Sequence, residues 1–150
     1  MSNRMSVNNS TFYKSLWGSS NGKVIRLGSN FCGAQPAYLY MINWRSPVRD
    51  GLFLSPHCLE LPFVFQNVRH MPEMVGTGPE IQPLADKISG AWVAFARTGI
   101  PNHPGIPHWP AFGATQQPTM VINNEWKIVN DLNREERDYI AANYPELPPW

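Results

Sequence analysis

The chain has 150 residues, about one domain's worth and enough to bury a sizeable core. Charged residues are 15% of it, against roughly 25% in an average globular chain, and 12 basic against 11 acidic side chains leave a net charge of +1. That balance argues against charge-driven disorder and against a basic nucleic-acid footprint, and no run approaching 18 apolar residues offers a membrane span.

The start, MSNRMSVNNSTFYKS, is polar and holds no apolar h-region, so no secretory signal is expected and the sequons at Asn8 and Asn9 carry no weight. Cys32 and Cys58 make neither a disulfide framework nor a four-ligand zinc site; they read as reduced thiols of a cytoplasmic protein. Residues 1–33 form a polar lead dotted with Asn, Ser and Gly, with one strand-like run at Lys23–Leu27. Ala37–Trp44 (AYLYMINW), between Pro36 and Pro47, is uninterruptedly apolar and aromatic apart from Asn43. It reads as a strand buried on both faces inside a mostly parallel sheet. Pro47, Asp50-Gly51 and Pro56 then mark a loop, followed by the dense apolar stretch PHCLELPFVFQNV, with Pro62 at a helix start or a turn.

Ile81–Thr98 gives the clearest helix. Leu84, Ile88, Ala91, Trp92 and Phe95 recur at spacings of three and four, Pro83 suits the first turn, and Gly99 and Pro101 suit the stop. Asn102–Thr115 is a Pro- and Gly-rich loop carrying Trp109. Thr119–Ile122 and Trp126–Val129 flank Asn123-Asn124-Glu125 as a hairpin. Asp131–Tyr144 is a charged terminal helix with Asp131 or Asn133 as its cap and Glu135 and Glu136 in its first turn. One buried strand, one stout helix and one hairpin fall short of a complete domain. A buried strand needs a neighbour on each flank, and losing them would leave an edge prone to aggregation.

Three groups of residues could carry chemistry. Of the four histidines, His103 and His108 lie in the Pro-rich loop with no acid or Cys at ligand spacing, and His70 sits beside Arg69 in a polar segment. For these the plain reading is a solvated or hydrogen-bonded filler. His57 differs, because it follows an apolar strand, ends a loop and precedes a hydrophobic block, which is how an α/β enzyme presents a general base. Gly18-Ser19-Ser20-Asn21-Gly22 matches G-x-S-x-G, the nucleophile elbow, but a β-branched run follows where a helix should. Only Asp50 lies between Ser20 and His57, so a flexible Gly/Ser turn is the better account. His57 and Glu60, with Cys58, have the i, i+3 spacing of a metal pair, yet no second cluster supplies the other ligands; no metal is expected.

Four strings add what spacing alone does not. YLYMINWRSP, SPHCLELPFVFQN, AWVAFARTGIPNHPGIPHWPAF and TMVINNEWKIVNDLNREER occur in that order. Together, from about Pro36 to about Arg137, they resemble the C-terminal third of type-B carboxylesterases, in particular the bacterial para-nitrobenzyl-esterase-like group. H-x-x-E-L-P-F-V-F and A-W-V-x-F-A-x-T-G-x-P are the most specific of them.

The resemblance implies an α/β class: the C-terminal portion of an α/β-hydrolase fold, with the last main-sheet strand, a long helix, a small hairpin and a terminal helix, incomplete as a domain. Residues 34–150 would form that portion and 1–33 a poorly matching leader. It implies a serine-type ester hydrolase in which His57 is the triad base, with the elbow serine, the triad acid and the oxyanion loop upstream of anything in these 150 residues. The chain by itself would then be inactive. Glu60 reads as a supporting or helix-start acid. The implied partners are a small-molecule ester and the N-terminal part of the hydrolase domain, with no cofactor, no nucleic acid and no membrane. Two other readings stay open: a non-catalytic scaffold on a hydrolase fold, and an unstable truncated product.

Overall fold

A computed structural model describes residues 23–27 (backbone), 36–113 and 115–143. In chain order it holds strand β1 (Lys23–Leu27), strand β2 (Tyr38–Ile42), helix α1 (Glu60–Val64), a 3-10 turn at Val68–His70, helix α2 (Pro72–Val75), helix α3 (Ile81–Thr98), strands β3 (Pro118–Ile122) and β4 (Lys127–Asn130), and helix α4 (Arg134–Asn143). Residues 21–132 form one compact unit, and α4 belongs to a second. Ser20 with its G-S-S-N-G string, Cys32 and the two sequons lie outside the described residues.

The sheet is mixed, in the order β1-β2-β3-β4. β2 pairs in parallel with β3, Tyr40 opposite Met120, while β1 and β4 run antiparallel to their neighbours. A parallel pair needs a long crossover, and the segment holding α1, α2 and α3 supplies it. All five residues of β2 are buried. Tyr38, Tyr40 and Ile42 enter the main core, and the alternation of a strand sends Leu39 and Met41, also buried, to the opposite face. The two-sided burial expected for this run therefore holds. The open flank expected beside it does not, because β1 pairs with β2 from Lys23↔Ile42 to Leu27↔Tyr38.

α3 has the bounds that its periodicity gives. Ile81, Leu84, Ala85, Ile88 and Ala91 are buried against the core, and Gly99 ends the helix at φ +75°, its N–H donating to the Phe95 carbonyl at 2.8 Å. Trp92 and Phe95 continue this stripe toward the end of the helix and pack against the same core. Both are half-buried, Trp92 edge-on to Tyr40 at 4.9 Å and Phe95 edge-on to Tyr38 at 6.0 Å. The deepest aromatic is Trp109, from the Pro-rich loop, which is wholly buried and meets Tyr38, Tyr40 and Trp126 at 6.1–6.3 Å.

The terminal helix starts later than its charge pattern suggests. Asp131 and Asn133 both have left-handed backbones, φ +52° and +57°, so the chain turns there, and the Asn133 carbonyl opens the helix by accepting the Arg137 N–H. Glu135 and Glu136 do stand in its first turn, where the helix dipole favours acids.

Candidate active site

β2 delivers the chain to a loop that is pinned back onto the strand's own end. The Asn43 N–H continues the parallel pairing by donating to the Ile122 carbonyl at 2.8 Å. Trp44, buried, meets Phe63 of α1 edge-on at 5.3 Å. Ser46 is also buried; its Oγ donates to the Met74 carbonyl at 2.7 Å and accepts the Val48 N–H at 3.2 Å. The loop closes on itself where the Ser46 N–H donates to the Leu54 carbonyl at 2.9 Å, and Ser55 Oγ donates to the Trp44 carbonyl. His57 is two residues beyond Ser55, so its backbone lies within about 7 Å of that anchor, close to the C-terminal end of β2.

The backbone of this loop is unusual. Arg49, Asp50, Leu54 and Cys58 take left-handed conformations, φ +52°, +56°, +53° and +64°, beside Gly51 at +77°. Left-handed backbone costs a non-glycine residue about 1–2 kcal/mol, least for Asp, and such strain clusters where a side chain must be aimed. His57 occupies the turn between Leu54 and α1, with the Leu59 N–H donating to the Pro56 carbonyl at 3.3 Å and the Leu61 N–H to the Cys58 carbonyl at 3.1 Å. Its ring is exposed, while Leu59, Pro62 and Phe63 just beyond it are fully buried and hold α1 down.

This geometry separates His57 from Glu60. The histidine precedes the helix and faces solvent; the glutamate is the first residue of α1 and is buried. Among the described residues no three of His, Cys, Asp and Glu gather closely enough to hold a metal ion. Glu60 is the helix-start acid that the sequence suggests. It acts on Tyr40, whose phenol is held well above its ordinary range, first by burial and then by the Glu60 negative charge.

The remaining candidates divide clearly. His70 and His108 are exposed, and His103 is half-buried against α3. The hydroxyls of Ser46 and Ser55 both donate to backbone carbonyls, so each serves the loop and neither is poised as a nucleophile. Nothing marks these two serines in the sequence, where they read as ordinary loop residues. An exposed imidazole on a pinned, strained loop can accept a proton and return it, the task of a general base.

The family model described as carboxylesterase family matches residues 12–140. The chain belongs to the carboxylesterase family. Among curated carboxylesterases it is 33% identical over 107 residues to phenmedipham hydrolase of Pseudarthrobacter oxydans, covering 68% of this chain and 22% of that protein. With para-nitrobenzyl esterase of Bacillus subtilis (strain 168) it shares 33% over 104 residues, 68% of this chain and 21% of that one. Among solved carboxylesterase structures, an esterase from Clostridium hathewayi described as able to hydrolyse aliphatic aromatic polyesters superposes with a TM-score of 0.61 at 28% identity, over 67% of this chain and 20% of that one. A PNB esterase superposes at 0.57 with 32% identity, over 65% and 20%. The chain thus spans about a fifth of the length of the carboxylesterases it matches. These structures are α/β-hydrolase esterases, and this chain, with its small mixed sheet and helices, superposes on about a fifth of each. No helix among the described residues is long and apolar enough to cross a membrane.

Proposed function

We propose that this carboxylesterase-family chain supplies the histidine base of a serine-type ester hydrolase, and that His57 is that base. The observation that carries this reading is the exposed His57 ring on a strained loop, hydrogen-bonded back to the end of a fully buried parallel strand. In the proposed assembly residues 34–150 belong to the C-terminal portion of the hydrolase domain, and β2 is a strand of its main sheet. Another portion of that domain brings the nucleophilic serine, the triad acid and the oxyanion amides. The serine oxygen attacks the carbonyl of a small-molecule ester, His57 takes its proton and then gives it to the leaving alcohol, and no metal or cofactor enters. The ring works only when neutral, so turnover falls as acid protonates it. The names of the relatives, a phenmedipham hydrolase and a para-nitrobenzyl esterase, support a small ester as the substrate class. The balanced charge supports a role without a nucleic-acid partner, and the two cysteines, read as reduced thiols, support a cytoplasmic setting.

By this reading the 150-residue chain, alone, hydrolyses short p-nitrophenyl esters no faster than the buffer does. Clear turnover that disappears in Ser20→Ala would mean that the G-S-S-N-G string is a working elbow, and would overturn the proposal.

A further inference from the structure

The strand end and the far side of the loop before His57 meet through bonds between neighbouring residues. The Ser46 N–H donates to the Leu54 carbonyl at 2.9 Å, and Ser55 Oγ donates to the Trp44 carbonyl. Residues 47–53 are thereby closed into a loop, and its base is fastened sideways as well. Ser46 Oγ donates to the Met74 carbonyl at 2.7 Å, in the last turn of α2, where a helix leaves carbonyls without a partner of its own. Pro47 lies on the same helix end, its Cγ 2.8 Å from where a methyl group at Gly76 would stand. Little freedom is left between this clamp and His57. Pro56 fixes its own φ and restricts Ser55 to extended backbone. His57 and Cys58 are then the central residues of a turn, closed where the Leu59 N–H donates to the Pro56 carbonyl at 3.3 Å, with Cys58 at φ +64°. Buried Leu59 holds the far side, so the His57 backbone is anchored before and after the residue.

We propose that Ser46 and Ser55 are positioning residues for the base: their hydroxyls, on the Met74 and Trp44 carbonyls, hold the His57 backbone at the end of β2 so that its ring meets the attacking serine. This rests on the reading of His57 as the base, and neither serine takes or gives the transferred proton. Both hydroxyls are spent on backbone carbonyls of the loop and of α2, not on a site where an ester could arrive, so substrate affinity does not depend on them. Without the Ser55 hydroxyl the loop loses its bond nearest to His57, and the turn that carries the ring can shift. The sheet, α3 and the aromatic core do not use that bond. Displacing a catalytic group by about 1 Å can cost about a hundredfold in rate.

Backbone amide NMR relaxation of the full chain, read at His57 and along α3, tests the clamp. In the unaltered chain the His57 order parameter should be about 0.85, that of rigid backbone, and in Ser55→Ala it should fall below about 0.6 with α3 unchanged. The consequence for rate is read in para-nitrobenzyl esterase of Bacillus subtilis carrying residues 36–137 of this chain in place of its own matched segment. There Ser55→Ala and Ser46→Ala should each lower kcat about 10- to 100-fold at unchanged KM, per folded molecule. A His57 order parameter already below about 0.6 in the unaltered chain, one that Ser55→Ala leaves unchanged, or a raised KM with kcat intact would each overturn the proposal. His57→Gln in the same hybrid separates the two levels. An unaffected rate there would sink the base assignment, while the order parameters would still decide the clamp. Should Ser46→Ala not fold, Ser55→Ala and the unaltered chain settle the matter.

Discussion

At the scale of single residues, depth separates the tryptophans. Trp109 is wholly buried at the meeting point of Tyr38, Tyr40 and Trp126, whereas Trp92 keeps part of its ring in solvent. Trp109→Ala should cost about 3–5 kcal/mol and Trp92→Ala about half that, read from denaturant unfolding of each variant. Equal losses would contradict the depth assigned to Trp109. Tyr40 makes a prediction in pH. Its phenol is raised by burial and by Glu60, so folding favours the protonated form. That contribution is fully present below about pH 10, the value of an unfolded tyrosine, and is lost as pH rises through the higher folded value. An absorbance titration should show Tyr38 and Tyr40 ionising late, and Glu60→Gln should bring Tyr40 earlier. That His57 stands in a loop after a buried strand was legible from the apolar run and the turn residues before it. The depth of Trp109 was not, because a tryptophan between prolines carries no periodicity, and only the paired bonds from Asn102 reveal why that loop dives into the core.

At the scale of elements, legibility followed local repetition. The spacing of three and four fixes α3 to the residue, and the unbroken apolar run locates β2, because both signals lie in the pattern of buried side chains. The loop from Asn43 to Pro56 was legible only as a loop. Its shape comes from Ser46 and Ser55 bonding to distant carbonyls and from left-handed Leu54 and Cys58, none of which favours that conformation on its own. The delayed start of α4 has the same origin in left-handed Asp131 and Asn133. One helix end gives a clean test. Gly99 ends α3 with φ +75°, and a methyl group added there would meet nothing within 4 Å. Gly99→Ala should therefore show the backbone penalty alone, about 1 kcal/mol, or a melting temperature lower by about 2–4 °C. A much larger drop would mean that the helix end is packed more tightly than the structure has it.

For the whole molecule, the chain is a carboxylesterase-family segment spanning about a fifth of its relatives' length. Within residues 21–132 both flanks of β2 are paired, and the aromatic core is closed around Trp109, which gives the segment a packed interior of its own. Leu52 and Phe53 before His57, and Leu61 and Phe65 after it, stay exposed, apolar surface bordering the proposed base on both sides in sequence. The central claim, that His57 is a triad base, is tested most directly by hydrolysis of a p-nitrophenyl ester by Bacillus subtilis para-nitrobenzyl esterase carrying residues 36–137 of this chain in place of its own matched segment. The account predicts measurable turnover by this hybrid. His57→Gln in it should remove about three or more orders of magnitude of rate with the fold intact, and His70→Gln should leave the rate nearly unchanged. Equal effects of the two substitutions in a folded, active hybrid would contradict the account.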